Sequence, residues 1–187
     1  MNNKQNSWLL IGPVVFSFAM AMTEPVVYLY FVKLIDTRVL AMANMLAVGI
    51  AAITNTSVTK RSFLDWYEEH FTLIVGVDIF LFAVISLAGM EWATLRFIGM
   101  SVLNAISTTL WICVMQNSIN AVVKGTELTI WHSLARSCEL YASLGGGLFI
   151  LLLGSLDIEV AIAIQCLANL TMGLTDLKAK KLLTKER

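Results

Sequence analysis

From Trp8 to about Val32 the chain is apolar for long enough to cross a hydrocarbon core of ~30 Å as one helix. Within that run stands Glu24, followed at once by Pro25. A carboxylate in lipid costs ~2.5–3.5 kcal/mol on insertion scales and usually faces a protein interior or a water-filled cavity. Pro25 has no N–H, so the carbonyl of Ala21 loses its usual partner and the helix is expected to kink there. A charged, kinked first helix fits a transport pathway better than a plain anchor.

Hydropathy predicts five more such spans, making six at about 8–32, 38–55, 71–90, 92–116, 129–154 and 156–175. The connections are short except for the segment from Thr56 to His70, as expected of antiparallel neighbours in a compact bundle. Only 14% of the residues are charged, against about 25% in a soluble domain. The predicted fold class is therefore all-α: a polytopic membrane protein of six transmembrane helices in one domain, with residues 176–187 as a basic tail. The first span is too long for the apolar core of a cleaved signal and is expected to remain as a helix. A formal net charge of zero offers no basic patch for nucleic acid.

Orientation follows from Lys and Arg. Of the 13 such residues, nine fall on one side: Lys4, Lys60, Arg61, Lys124 and the five from Lys178 to Arg187. Lys33 and Arg38 fall on the other, while Arg96 and Arg136 lie inside spans. The positive-inside rule then puts both termini in the cytoplasm, with a bacterial inner membrane as the expected location. The tail is expected to act as a topology signal.

Polar residues inside the spans fall into stripes. In the first span Ser17, Ala21, Glu24 and Tyr28 share a face. In the second, Asn44 and Asn55 share a face as candidate interhelical hydrogen-bonding groups. The segment from Thr56 to His70 reads as interfacial, with Phe63, Trp66 and Tyr67 at headgroup depth. Asp78 in the third span is expected either to bind a proton or ion or to reach a basic loop residue. Arg96 is expected to snorkel to the interface, and Ser101, Asn104, Thr108 and Trp111 follow on one face as a candidate cavity wall.

The fifth span places His132, Arg136, Glu139 and Ser143 along one face, with Arg136 and Glu139 spaced to pair. Gly145, Gly146 and Gly147 follow and would let another helix approach closely. The sixth span adds Gln165, Asn169 and Met172, while Asp157 and Glu159 stand at its start, where carboxylates favour a helix N-terminus.

Cys113, Cys138 and Cys166 lack metal or redox spacing and read as packing residues. There is no GxSxG, HExxH or DxD motif, and the two histidines do not form a haem ligand pair. Neither an enzyme, a cofactor nor a metal site is expected.

Several stretches resemble one half of a major facilitator superfamily transporter. MTEPVVYLY is similar to the family's first helix, RFIGMSVLNA to its Arg-then-Gly fourth helix, and VVKGTELTIWHSLARSCELYASLGGG to the charged loop and glycine-rich fifth helix. The loop TNTSVTKRSFLDW keeps basic residues and Asp65 but not the glycines of the family signature, and Gly99 follows Arg96 by three residues where the family pattern has four.

The resemblance implies two three-helix repeats of inverted topology per half, with substrate held at midplane between two halves. It nominates Glu24, Tyr28, Asn104, Thr108 and Trp111 for substrate or proton binding, and Arg136 with Glu139 as a gating charge pair. Gly145–Gly147 would pack at the contact between halves.

The expected function is a half-size secondary transporter, proton-coupled through Glu24, that moves a small solute as a homodimer or with a second six-helix half. The alternative is a non-transporting membrane subunit that scaffolds or regulates a partner. A channel is the third possibility; a ring of like charges or a repeated pore motif would favour it and none is visible in the sequence, though a homodimer would duplicate Glu24.

Overall fold

The computed structural model describes the backbone of residues 3–184, and the side chains of residues 8–183 other than Met90, Leu110 and Trp111. Among the described residues there are seven α-helices: α1 (Asn3–Leu34), α2 (Thr37–Val58), α3 (Arg61–Glu69), α4 (Phe71–Ser86), α5 (Ala93–Val122), α6 (Thr126–Leu153) and α7 (Ile158–Thr184). A 3₁₀ turn at Met90–Trp92 precedes α5. Five of the helices are long and apolar enough to cross a membrane, or six if the bent pair α3–α4 counts as one span. The protein is thus a polytopic, all-helical membrane protein. Helices dominate because hydrocarbon offers backbone amides no partner, and a helix satisfies them internally.

The helix ends are set locally. Asp36 caps α2, its side chain accepting from the Arg38 N–H at 2.7 Å, and Asp157 does the same for the Glu159 N–H at 2.9 Å at the start of α7. Gly154 ends α6 at φ 74°, a left-handed conformation that a residue with a Cβ rarely adopts. Pro25 does not end α1, which runs continuously through both Pro13 and Pro25.

Two differences from the expected spans stand out. The segment after α2 is not a loop: it folds into α3 and meets α4 at a 75° bend. The last helix does not stop at residue 175 but continues through the basic stretch to Thr184, because Asp176, Ala179 and Leu183 are buried.

The chain divides into two compact units, one of residues 1–27 and 115–187, the other of residues 28–114. The division falls inside α1 and inside α5. The units therefore do not correspond to two successive three-helix repeats.

In the first unit α1 packs on both α6 and α7. A Cβ at Gly146 would overlap the backbone carbonyl of Phe18, and one at Gly12 would overlap the Thr175 hydroxyl. The helices meet there backbone to backbone, which small residues permit. The core around these contacts includes Leu9, Ala19, Met22, Ile119, Ala161 and Ala168.

In the second unit α4 buries Phe71, Val75, Asp78, Phe82 and Ser86, spaced along a single face. Tyr67 of α3 and Leu40, Ala43 and Ala47 of α2 are also buried. Phe31 packs on Phe97 with ring centroids 5.3 Å apart.

Candidate functional site

α4 is apolar on every side, so lipid alone does not choose which face turns inward. The carboxylate decides it. Asp78, at the middle of α4, is 8% exposed and lies on the buried stripe. It meets α5, whose buried residues Arg96, Ser107, Val114 and Ser118 likewise share a face. Ser107 donates its hydroxyl hydrogen to Asp78 Oδ1, and its oxygen also lies 2.6 Å from the Leu103 carbonyl. Asp78 thus reaches a hydroxyl in mid-span, where a basic loop residue was the structural expectation.

Arg96 does not snorkel. It is 2% exposed, and its Nη1 donates to the Ala88 carbonyl at 3.1 Å. A cation there complements the C-terminal end of α4, where carbonyls lack helical partners. The guanidinium ties the α4–α5 turn to the first turn of α5.

The residues nominated from sequence are distributed differently. Glu24 and Tyr28 are one turn apart on α1 and both are exposed. The stripe to which they were assigned is not uniform, because Ala21 lies against Gly146. On α5, Asn104 is exposed and Thr108 half-buried, with the Thr108 hydroxyl 3.3 Å from Asn104 Oδ1. This face is one residue, about 100°, away from the buried face that carries Ser107. The Trp111 and Lys4 side chains lie outside the described ones, and Lys185 and Arg187 of the orientation signal lie outside the described residues. Asn44 and Asn55 are exposed on α2.

On α6, Arg136 Nη1 and Glu139 Oε2 form an ion pair at 3.1 Å, with side chains 69% and 29% exposed. His132 and Ser143 on the same face are half-buried. Of the three glycines, Gly146 is pressed on α1, Gly145 lies against the Phe18 ring, and a Cβ on Gly147 would meet nothing within 4 Å. Close approach at Gly146 is therefore made within this chain, to α1, where the resemblance placed it at a contact between halves.

α7 carries a polar face that the sequence shows at Gln165, Asn169 and Met172 and that the structure extends to Asp176. Gln165 and Asn169 are buried as a pair one turn apart, and Asp176 continues their face at 3% exposure. The signal was present in the spacing 165, 169, 172, 176, but the next residues, KAKK, read as tail. On α3, Trp66 is exposed, Phe63 half-buried and Tyr67 buried. The Trp66 ring stacks on His70 at 5.0 Å. The exposed side also carries Arg61, Asp65 and Glu69, giving an amphipathic helix of the kind that lies in a membrane interface.

Among the described residues no group of three or more His, Cys, Asp or Glu is placed to hold a metal ion. No family model, no curated protein and no solved structure matches the chain.

Proposed function

We propose that this chain is a half-size secondary-transporter-like membrane protein that pairs with a second copy to move a small solute, with the proton as coupling ion. The reading makes it a non-enzyme, with both termini on the cytoplasmic side where its basic residues gather. The observation that carries it is the position of Glu24. The α1 span runs from Trp8 to Leu34, so Glu24 lies three residues, ~5 Å, from its midpoint, and its side chain is exposed on the chain's surface. A carboxylate facing lipid at that depth costs ~2.5–3.5 kcal/mol. A water-filled cavity between two copies offsets that cost and gives the proton a route. Tyr28, one turn away and also exposed, extends the same polar strip.

The test is thiol labelling in membranes, with Cys113, Cys138 and Cys166 replaced and single cysteines introduced. Cysteines at positions 24 and 28 should react with a charged, water-borne thiol reagent. Cysteines at Leu140 and Leu144, apolar, exposed and near the middle of α6, should not. Protection of positions 24 and 28 would remove the cavity and favour a sealed, non-transporting subunit. Once a substrate is found, Glu24→Gln should abolish pH-driven uptake; unchanged uptake would remove the coupling role.

A further inference from the structure

We propose that Asp78 and Ser107 form a proton-binding site inside the second unit, separate from Glu24. Three observations carry it. Asp78 stands at the centre of α4 (Phe71–Ser86) and Ser107 at the centre of α5 (Ala93–Val122), so the contact lies far from either helix end. Both residues are 8% exposed. The hydroxyl has one hydrogen and two acceptors, Asp78 Oδ1 and the Leu103 carbonyl.

That arrangement accommodates both protonation states. With Asp78 ionised, the Ser107 O–H donates to Oδ1. With Asp78 protonated, the acid O–H donates to Ser107 Oγ, and the serine hydrogen turns to the Leu103 carbonyl. A hydroxyl can donate once and accept twice, so uptake of one proton reverses one hydrogen bond and loses none.

Few charged residues stand on the helices of this unit. α4 carries no other charged residue. α5 carries Arg96, eleven residues or ~16 Å of helix rise from Ser107, and α2 carries only Arg38 in its first turn. Lys33 lies in the last turn of α1, Asp36 caps α2, Glu91 lies in the turn before α5, and Lys60, Arg61 and the acids of α3 lie beyond the 75° bend. Of the other titratable groups, Cys113 is six residues along α5, Tyr28 and Tyr30 belong to α1, Tyr67 to α3, and His70 stands at the bend. Among the described contacts, the Asp78 carboxylate, the Ser107 hydroxyl and the Leu103 carbonyl share one hydrogen, an arrangement that accommodates a proton.

The site rests on the α4–α5 contact and stands whether or not the chain transports. Its test is infrared difference spectroscopy of the full chain in nanodiscs, between acid and alkaline pH. Wild type should exchange a carboxylic C=O band for a carboxylate band, and Asp78→Asn should lose that pair. Ser107→Ala should move the acid band to higher wavenumber and shift its midpoint, and Ser107→Thr should restore both. Glu24→Gln should leave the Asp78 signal in place, which separates this site from the transport reading.

Asp78→Asn spectra that superpose on wild type would overturn the proposal. So would an acid band that Ser107→Ala leaves unmoved, a readout that remains if the Asn variant does not assemble. Sodium ions driving the same band change at constant pH would make the site a metal-cation site and overturn the proton assignment.

Discussion

Two residues show how narrowly a single atom is constrained. Gly146 lies so close to Phe18 that an added methyl would occupy the space of a backbone carbonyl, which cannot rotate away. Gly146→Ala should therefore destabilise the first unit by ~1–3 kcal/mol, the usual cost of overpacking. Gly147→Ala meets nothing within 4 Å and should stabilise α6 by ~0.5–1 kcal/mol through its better helix propensity. Unfolding in mixed micelles of increasing denaturing-detergent fraction measures both, and equal effects would refute the backbone contact. Arg96 makes the opposite case, a long charged side chain retained at 2% exposure. Arg96→Met removes the donor to the Ala88 carbonyl and should cost ~1.5–3 kcal/mol in the same assay. Arg96→Lys should recover only part, because one ammonium does not reproduce the guanidinium's fork of donors.

At the scale of the element, α3 and α6 make different use of charge. The Arg136–Glu139 pair lies along one helix, three residues apart, and needs no neighbour to form. Arg136→Glu alone places two acids together and should lower the amount of folded protein recovered from membranes. The exchange Arg136→Glu with Glu139→Arg should restore it; failure to restore would mean that another element reads the sign of each position. In α3 Arg61, Asp65 and Glu69 face outward with Trp66, and Tyr67 turns in. A variant keeping Trp66 as its single tryptophan should be quenched most strongly by lipids brominated near the headgroup. Maximal quenching by lipids brominated near the chain ends would put α3 inside the membrane as part of a broken span.

For the whole molecule, the outward position of Glu24 makes the oligomeric state the decisive property. The complex purified in nanodiscs should have the protein mass of two chains, and Glu24→Leu should alter that mass or its stability, since the carboxylate would no longer need cover. A monomer with Glu24 intact would remove the half-transporter reading. By itself the sequence determined the class of molecule and the approximate extent of most long helices, because in lipid each helix must satisfy its own backbone and its length follows from local composition. It also determined the carboxylate at the start of α7 and the Arg136–Glu139 pair, interactions within a few residues; the Asp36 cap of α2 is equally local and came from the structure. Only tertiary structure decided which faces turn inward. Hydropathy cannot choose a face on a helix that is apolar all round, so composition alone does not say which face of α5 packs within the chain. Contact with Asp78 shows that the packed face passes through Ser107. The same holds for Gly146, whose partner is α1, and for Asp176, which local charge placed in a tail and packing placed in a helix core. Burial depends on what a residue meets from elsewhere in the chain, and that partner is not written within the helix that carries it.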